Sequence, residues 1–400
     1  MTSTDFRTAV NGLATDLIAL REELHRDPEI GLHLPRTQAR VLAALDGLPL
    51  EITLGQNLSS VVAVLRGARP GPTVLLRGDM DALPVTERTG LPYSSQIDGA
   101  MHACGHDLHT AMLAGAARLL SARQQEIAGN VIFMFQPGEE GFAGARQMIS
   151  EGVLDAAGDR PVAAFALHVT SSHLPRGVYS TRPGTMMAAA DVFEVTVHGR
   201  GGHASQPHRA ADPIPVACEI VTALQTMVTR KFDVFDPVVL TIGSFHAGTT
   251  DNVIPDEAKL LGSLRTFSTE TRARVMDHAT RLAGEIAAAH GLTATAGFPK
   301  GYPVTVNNEE EASFAQRTVT ELFGSGRCMT QPFPLTGAED FSFVLEQVPG
   351  AFVMLGACPQ GTDPATAAYN HSAEAAFDDA VLGDGAALYA ELALRRLAAA

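Results

Sequence analysis

The chain has 400 residues, of which 46% are hydrophobic and 18% are charged. This ordinary globular composition excludes a disordered protein or a coiled coil, and the length predicts two to four domains. The chain carries 29 Lys and Arg against 44 Asp and Glu, which gives a formal net charge of −15. Because so acidic a chain has no generic attraction to polyanions, nucleic acid and anionic membranes are excluded as expected partners.

The sequence also lacks the patterns of membrane and secretory segments. No stretch holds 18 uninterrupted apolar residues, and the amino terminus carries acidic residues and is amphipathic, unlike a secretory signal. The four cysteines lie far apart and form no closely spaced pairs, which fits a reducing compartment. Cys218, Cys328 and Cys358 have no ligand spacing and are expected to be small buried residues. We therefore expect a cytoplasmic globular protein.

The first predicted element is an amphipathic helix that ends at the helix-breaking pair Asp27-Pro28. Its apolar face consists of Phe6, Val10, Leu13, Leu17, Leu20 and Leu24. Beyond it, short apolar runs alternate with helical patterns, and they predict the strands Val61–Leu65, Thr73–Arg77, Val131–Gln136 and Val162–Val169 and the helix Thr110–Arg123. This alternation predicts an α/β sheet with helices on its faces.

The middle of the chain has a different pattern. Its predicted elements follow the order βαββαβ, which is that of a ferredoxin-like unit: Asp191–His198, Asp212–Val228, Val238–Phe245, Glu257–Phe267, Thr269–His290 and Thr293–Phe298. After it, the helices Glu309–Phe323 and Gly383–Ala399 and the strand Ala351–Gly356 return to the α/β pattern. We therefore predict a discontinuous α/β domain, residues 1–187 and 300–400, interrupted by an inserted domain at 188–299.

Metal-ligand residue types are most concentrated in the segment 101–109, MHACGHDLH. It places three histidines, Cys104 and Asp107 within eight residues, directly before a predicted helix. Thiolates, neutral imidazoles and carboxylates are the side chains that donate lone pairs to divalent metals. The segment lacks the paired CxxC of structural zinc, so an open site is favoured over a closed one. A polar helix-capping loop is the alternative.

A second candidate is the carboxylate pair Glu139-Glu140, which follows the apolar strand Val131–Gln136. Two adjacent carboxylates repel each other in a cleft, and a metal relieves this if one coordinates it while the other accepts a proton from water. Such pairs are also common on solvated surfaces, so this signal alone is weak.

Further candidates lie near the ends of other predicted strands. Asp79 and Asp81 follow one strand, His168 lies at the end of another, and His371 lies near the carboxyl terminus. Ligands of open α/β sheets bind at the carboxyl edge of the strands. Taken singly, His168 is more readily explained as a core histidine. Together, these residues predict a metal site at that edge.

Eight motifs, in this order along nearly the whole chain, carry a family resemblance: GDMDALP, MHACGHDLHT, QPGEEG, ALHV, GRGGHASQPH, DNVIPDEAKLLGSLRTF, TGAEDFSFVL and NHSAEAAFDD. The set resembles the M20 metallopeptidases, in particular their amidohydrolase branch of hippurate hydrolases, N-acyl-amino-acid amidohydrolases and auxin-conjugate hydrolases. The resemblance implies a di-metal α/β catalytic domain interrupted by a ferredoxin-like lid that also mediates dimerisation. It therefore implies a homodimer or a higher homo-oligomer.

The resemblance also implies roles for particular residues. The implied metal ligands are Cys104, His106, Glu140, His168 and His371. Glu139 is implied as the general base, and Asp81 as a carboxylate that orients a ligand or the base. In the lid, His203 is implied to polarise the scissile carbonyl, across the dimer, while Asn252 and Arg265 are implied to hold the substrate carboxylate. The cofactors would be two divalent ions, with zinc, manganese, cobalt and nickel left open.

Four positions depart from patterns common among relatives. Asp79 stands where the wider family has histidine, and His168 where it has aspartate, which places the chain with the branch that uses cysteine and extra histidine ligands. Ala373 replaces a frequent proline and Leu108 a frequent glycine. These two changes affect the shape of the loop and the packing rather than the ligands themselves.

The expected activity is metal-dependent hydrolysis of the amide bond of N-acyl amino acids, such as hippurate or N-acetyl-amino acids. The products would be a carboxylic acid and a free amino acid. A dipeptidase or carboxypeptidase that uses the same residues is one alternative. A non-catalytic binding protein of the same fold is another.

Overall fold

The computed structural model describes residues 6–399. The strands are β1 (Leu50–Leu54), β2 (Val61–Arg66), β3 (Arg69–Asp79), β4 (Ala128–Gln136), β5 (Pro161–Thr170), β6 (Tyr179–Thr181), β7 (Gly184–Met187), β8 (Ala189–His198), β9 (Gly202–His203), β10 (Val239–Ala247), β11 (Val253–Ile254), β12 (Glu257–Thr266), β13 (Thr293–Tyr302), β14 (Thr305–Asn307), β15 (Cys328–Thr330) and β16 (Gly350–Gly356). The α-helices are α1 (Phe6–Ala9), α2 (Ala14–Arg26), α3 (Pro35–Leu45), α4 (His106–Ser121), α5 (Glu139–Phe142), α6 (Gly144–Ser150), α7 (Pro213–Lys231), α8 (Thr269–Ala289), α9 (Glu309–Phe323), α10 (Ser342–Leu345) and α11 (Leu382–Ala398). Among these described helices, none is long and apolar enough to cross a membrane.

The described chain divides into two compact units. Unit 1 contains the described residues up to Gly184, the segment Val306–Pro332 and the described residues from Phe343 onward. Unit 2 contains Thr185–Thr305 and Phe333–Ser342. The mixed α/β class predicted from the sequence is confirmed.

Unit 1 is built on an eight-stranded mixed sheet with the strand order β1-β2-β4-β3-β5-β16-β6-β15. Its central strands β4, β3, β5 and β16 run parallel to one another. Apart from the first four residues of β3, they are almost completely buried, as expected for parallel strands that are covered on both faces. Because these strands are parallel, their carboxyl ends lie along one edge of the sheet. The segments after β3 and β4 and the last residues of β5 are therefore brought together there.

Two predicted helices differ from the observed ones. The amino-terminal helix is not continuous, because the 3₁₀ segment Val10–Leu13 separates α1 from α2. That segment contains Asn11-Gly12, two residues of low helix propensity. Helix α4 begins at His106, four residues before the predicted start, since the buried first turn is polar and apolar periodicity cannot detect it. The helix α3 and the strand β1 were not predicted.

Unit 2 contains a four-stranded antiparallel sheet with the order β10-β12-β8-β13. Along the chain its elements alternate as β8, α7, β10, β12, α8 and β13. Alternate residues of β8 and β12 are buried, and they share an apolar core with α7 and α8. A short separate pair, β9 and β11, brings His203 opposite Val253.

Candidate metal centre

The first candidate ligands lie at the amino-terminal end of α4, at the carboxyl edge of the unit 1 sheet. Gly105 separates Cys104 from His106, and its φ of +85° belongs to the left-handed region that favours glycine. A Cβ atom at this position would lie 2.3 Å from Cγ2 of Val169. Glycine therefore allows the backbone to turn here and to pack closely against Val169, near the end of β5. Cys104 and His106 are the residues on either side of this glycine.

A substitution at Gly105 tests how firmly this turn is held. We expect Gly105→Ala to lower the free energy of unfolding by roughly 2–4 kcal/mol, from left-handed backbone strain plus overpacking. Gly99→Ala is the matched control, because Gly99 also has positive φ (+74°) but no atom within 4 Å of an added Cβ. Urea unfolding of the metal-free proteins measures both values. Equal losses for the two variants would show that the contact with Val169 does not matter.

Hydrogen bonds fix the orientation of two candidate histidine ligands. Nδ1 of His106 lies 2.8 Å from the carbonyl oxygen of Asp81, and Nδ1 of His168 lies 2.8 Å from that of Val169. A carbonyl can only accept, so each Nδ1 carries a proton and each Nε2 is the nitrogen left for a metal. Nε2 of His106 is buried and has no hydrogen-bond partner among the described residues. The orientation of both rings therefore suits metal binding through Nε2.

Three further donors complete the cluster. Sγ of Cys104 lies 3.5 Å from Nε2 of His168 and 3.3 Å from Nε2 of His371. Nε2 of His371 is also 3.1 Å from a carboxylate oxygen of Glu140. His371 has a φ of +73°, and its backbone N–H donates to the carbonyl of Ala103. This uncommon conformation of a non-glycine residue occurs at the point where the ring joins the cluster.

The donors form overlapping groups whose ligand atoms lie within 4.8 Å of one another. One group is Cys104, His106 and His168, another is Cys104, Glu140 and His371, and a third is His106, Glu139 and Glu140. A mixed set of one sulfur, several imidazoles and carboxylates suits first-row divalent ions. The five predicted ligands are thus brought together, and their overlap fits a pair of ions.

Asp81 orients the two adjacent glutamates through their backbone. Its Oδ1 accepts from the N–H of Glu139 at 2.9 Å, and its Oδ2 accepts from the N–H of Glu140 at 3.0 Å. The preceding Gly138 has a φ of +72°, and a Cβ there would lie 2.5 Å from Leu32. Only glycine fits this turn, which leads from β4 into the glutamate pair. The buried Glu139 carboxylate therefore starts from a fixed backbone.

Electrostatics in the cluster differ from ligand to ligand. Hydrogen bonds with Cys104 and Glu140 raise the pKa of His371 to about 10. Burial opposes ionisation of Glu140, but the hydrogen bond with His371 outweighs it and lowers the pKa of that carboxyl. Burial lowers the pKa of His168 well below its usual value, so this ring is neutral. Burial opposes ionisation of His106, but the attraction of Asp79 outweighs it and raises the pKa of this ring well above its usual value. A metal must therefore displace a proton from His371 and from His106 but not from His168.

Asp79 and His109 support the site without being among the predicted ligands. Nδ1 of His109 lies 2.5 Å from Asp79, and its Nε2 accepts from the backbone N–H of Val169 at 2.7 Å. Both ring nitrogens are therefore engaged, and His109 holds the end of β5 rather than a metal. The buried Arg77 lies 2.6 Å from the other oxygen of Asp79. His102, the other flanking histidine, is buried, and its ring has no hydrogen-bond partner among the described residues.

A second supporting cluster lies behind the first turn of α4, and sequence reasoning missed it. Asp107, next to His106, lies 2.8 Å from Nε of Arg21 and 2.8 Å from Nδ1 of His25, and all three side chains are at most 1% exposed. One feature of the amino-terminal sequence does indicate a buried charge at this place. Arg21 is four residues after Leu17 and three before Leu24, so a charged residue lies within the apolar face of the helix.

Glu87 connects His25 of this cluster to the backbone of Ser95, and its carboxyl makes the stability of the protein depend on pH. Burial opposes its ionisation, but hydrogen bonds from His25, the backbone of Ser95 and the hydroxyl of Thr89 lower the pKa of Glu87 to about 2. A carboxyl whose pKa falls on folding stabilises the protein above its unfolded pKa, near 4.5, and this stabilisation is lost as the pH falls toward 2.

We therefore expect Glu87→Gln to be less stable than the native protein near neutral pH, by about 1–2 kcal/mol after solvent screening. The difference should shrink between pH 4.5 and pH 2. Unfolding free energies measured at several pH values test this, and Glu23→Gln, an exposed carboxylate on α2, is the control. A difference that stays constant over this range would contradict the assignment.

In unit 2, the predicted residues His203 and Asn252 lie on neighbouring segments. The backbone N–H of Ala204 donates to the carbonyl of Asn252 at 3.1 Å. Nδ1 of His203 accepts from the backbone N–H of Ser205 at 3.1 Å. Because that N–H can only donate, the neutral ring carries its proton on Nε2. The exposed ring of His203 is therefore a ready hydrogen-bond donor.

Arg265 lies on β12 and has no ion-pair partner in the described part of the chain. Asp191, the carboxylate that attracts it, is instead held by two hydrogen bonds from Arg272, at 2.9 and 2.7 Å. Burial lowers the pKa of Arg265, and the attraction of Asp191 opposes this only partly. The guanidinium is thus half-buried with its hydrogen-bond donors available.

The three cysteines outside the cluster were expected to be small buried residues. Cys358 is buried and Cys328 partly so, but Cys218 is exposed. The expectation for Cys218 is wrong because helix α7 places this residue on the face opposite its buried residues Val216, Ala217 and Ile220.

Comparisons with known proteins identify relatives over nearly the whole chain. The family model described as peptidase family M20/M25/M40 matches residues 75–395. A thermostable carboxypeptidase of Saccharolobus solfataricus is 38% identical over 383 residues, 95% of each chain. An N-acetylcysteine deacetylase of Bacillus subtilis is 37% identical over 381 residues, 95% of this chain and 96% of that relative. A crystal structure from B. subtilis, described as a dinuclear metal-binding peptidase of the M20 family, has a TM-score of 0.81 and 34% identity and covers 97% of this chain and 99% of that chain.

The family match spans well over half of the chain, and the relatives extend over nearly all of it. The family predicted from the ordered motifs is therefore confirmed, and so is the class of enzyme. The chain belongs to peptidase family M20/M25/M40, as a metal-dependent amidohydrolase.

Proposed function

We propose that the protein hydrolyses the amide bond of N-acyl amino acids and releases a carboxylic acid and a free amino acid. One observation carries the proposal, namely the overlapping donor groups of Cys104, His106, Glu140, His168 and His371, with Glu139 beside them. The B. subtilis relative named as an N-acetylcysteine deacetylase supports this substrate class.

In the proposed hydrolysis, the metal ions and the side chains of the protein have different roles. Two divalent ions bound at these donors would polarise the scissile carbonyl and lower the pKa of a water molecule. Zinc, manganese, cobalt and nickel all suit the donor set. Glu139 accepts a proton from the attacking water and returns it to the leaving amine. Asp81, through the two backbone N–H groups, keeps the Glu139 carboxylate and the Glu140 ligand in fixed relation.

The proposal extends to three residues of unit 2. His203 polarises the scissile carbonyl through its Nε2–H, while Asn252 and Arg265 hold the α-carboxylate of the substrate. Unit 2 would then serve as a ferredoxin-like lid, and the protein would act as a homodimer or a higher homo-oligomer. The division into a catalytic domain, 1–187 and 300–400, and a lid, 188–299, stays a prediction, as does a cytoplasmic location.

The test is an assay of the metal-loaded protein on hippurate and a panel of N-acetyl amino acids. We expect turnover that a chelator abolishes and that added divalent metal restores. Activity that survives complete removal of metal would overturn the mechanism. Binding of these compounds without any turnover would instead support the alternative of a non-catalytic binding protein.

A carboxypeptidase is the second candidate, and the 38% identity to the Saccharolobus carboxypeptidase favours it. It would use the same donors and the same general base on a peptide bond. Unblocked dipeptides and longer peptides, assayed beside their N-acetyl counterparts, separate the two candidates. Faster release of the carboxy-terminal residue from peptides than of the amino acid from N-acetyl compounds would favour the carboxypeptidase.

Arg265 gives a prediction about substrate charge. We expect Arg265→Ala to lower kcat/KM for an N-acyl amino acid by about 10- to 100-fold, the value of a charge-assisted hydrogen bond. The same variant should have little effect on the corresponding carboxamide substrate, which is already poor. Arg281→Ala is the control, because Arg281 is exposed on α8 and pairs with Glu285. A native enzyme that hydrolyses the acid and the amide equally well would contradict the carboxylate contact.

A further inference from the structure

The side chain of Asn370 lies where three segments of the candidate metal centre meet. Its Oδ1 accepts from the backbone N–H and from the hydroxyl of Ser171, at 2.9 and 3.1 Å. Its Nδ2 donates to the carbonyl of Val169 at 3.0 Å and to that of Cys104 at 3.2 Å. The Ser171 N–H can only donate and the carbonyls can only accept, so the orientation of the amide is fixed.

Each of these segments carries a proposed metal ligand. Val169 directly follows His168, Cys104 is a ligand itself, and Asn370 directly precedes His371. The three segments are distant in the sequence and belong to the end of β5, the start of α4 and the carboxy-terminal loop. The carboxamide of Asn370 therefore links, through hydrogen bonds, the backbone segments that carry Cys104, His168 and His371, which are three of the five proposed donors.

Asn370 also faces the sulfur. Its Nδ2 lies 3.8 Å from Sγ of Cys104, within the range of an N–H···S hydrogen bond. Because the amide has two N–H groups and three acceptors within reach, one N–H is shared between a carbonyl and this sulfur. Because a nitrogen donor stabilises the charged thiolate, it lowers the energy of the sulfur lone pair that binds the metal. Hydrogen bonds to ligating sulfur are a recognised means by which a protein adjusts a metal centre.

We propose that Asn370 is a positioning residue of the metal centre, which aligns the Cys104, His168 and His371 segments and donates an N–H to the Cys104 thiolate. The inference rests on the proposed function in one respect, that Cys104 is a metal ligand. Asn370 acts through these ligands and takes no part in the reaction itself.

Three variants distinguish the effect of the Nδ2 donor of Asn370 from that of its Oδ1 acceptor. Asn370→Asp is nearly isosteric and keeps the acceptor that faces Ser171, but it loses the Nδ2 donor. Asn370→Ala removes both ends without adding a charge. Ser171→Ala is the control, since it removes the hydroxyl, which donates to the carbonyl of Ala368 at 2.7 Å and approaches Oδ1 at 3.1 Å, and leaves the donor that faces the sulfur in place. Circular dichroism and thermal unfolding of the metal-free proteins report whether each variant folds, and Asn370→Asp carries the test if Asn370→Ala does not.

Co²⁺ is the probe, because its thiolate charge-transfer absorption reports directly on the ligating sulfur. We expect both Asn370 variants to bind Co²⁺ about 10- to 100-fold more weakly than the native protein. We also expect them to move the charge-transfer band to lower energy, because the sulfur lone pair is no longer stabilised. Ser171→Ala should leave the band in its native position.

The outcomes are distinguishable. Native affinity and an unshifted band in folded Asn370→Asp would overturn the proposal, and so would the same shift in Ser171→Ala. A native protein that shows no thiolate band with Co²⁺ would overturn both the Cys104 assignment and this inference. A native protein that shows the band, with the predicted shifts in the variants, but hydrolyses no N-acyl amino acid would overturn the proposed substrate class alone.

Discussion

Replacing Glu139 by Gln is expected to lower kcat by roughly 10²–10⁴-fold while the protein keeps its metal, because the amide cannot accept the proton of the attacking water. The backbone N–H of Glu139, which donates to Asp81, is unchanged by the substitution. The turn between β4 and the glutamate pair should therefore keep its shape. Turnover of an N-acyl amino acid and elemental analysis of the same preparation measure the two parts of this prediction.

Glu140→Gln is the matched comparison for this substitution. Glu140 is the adjacent carboxylate, its N–H donates to the other oxygen of Asp81, and its side chain lies 3.1 Å from His371. As a proposed ligand, it should lose metal affinity as well as activity when changed. Near-normal turnover in a metal-replete Glu139→Gln protein would exclude Glu139 as the base. Loss of metal from both variants alike would assign the two glutamates the same role.

The residues of this candidate site that the sequence pattern points to are those whose position depends on local order in the chain. Glu139, Glu140 and His168 each lie at the end of an apolar strand, and the parallel arrangement of β3, β4 and β5 brings such ends to one edge. Cys104 and His106 are close in sequence, so their separation in space was fixed by a short segment. For these residues, a pattern of a few neighbouring positions in the sequence is enough to indicate where the side chains lie in the fold.

The supporting residues could not be found in this way, because their partners are far away along the chain. Asp107 and Arg21 are 86 positions apart, and Asp79 and His109 are 30 apart. Neither contact follows from strand or helix periodicity. The early start of α4 has the same origin, since its first turn is polar and is buried only because these distant partners neutralise it. A buried polar turn is indistinguishable from a loop until its partners are known.

The largest stability effect that we expect outside the ligands is that of Asp107→Asn. Arg21 and Asp107 are both completely buried, and Nε of Arg21 lies 2.8 Å from the carboxylate. Burial opposes ionisation of Asp107, yet Arg21 and His25 outweigh it and lower the pKa of this carboxyl. The substitution leaves the guanidinium, which cannot lose its proton, without its main counter-charge. Breaking a buried pair in this way costs about 3–5 kcal/mol of unfolding free energy.

A surface pair on the same unit provides the control for this prediction. Asp155 and Arg160 lie 3.3 Å apart and are both more than half exposed, so Asp155→Asn should cost less than about 1 kcal/mol. Urea unfolding of the metal-free proteins measures both variants. Adding Arg21→Leu to Asp107→Asn should restore part of the lost stability, because the uncompensated charge is then removed. Equal losses for Asp107→Asn and Asp155→Asn, or no recovery in the double variant, would show that the buried pair does not stabilise the first turn of α4.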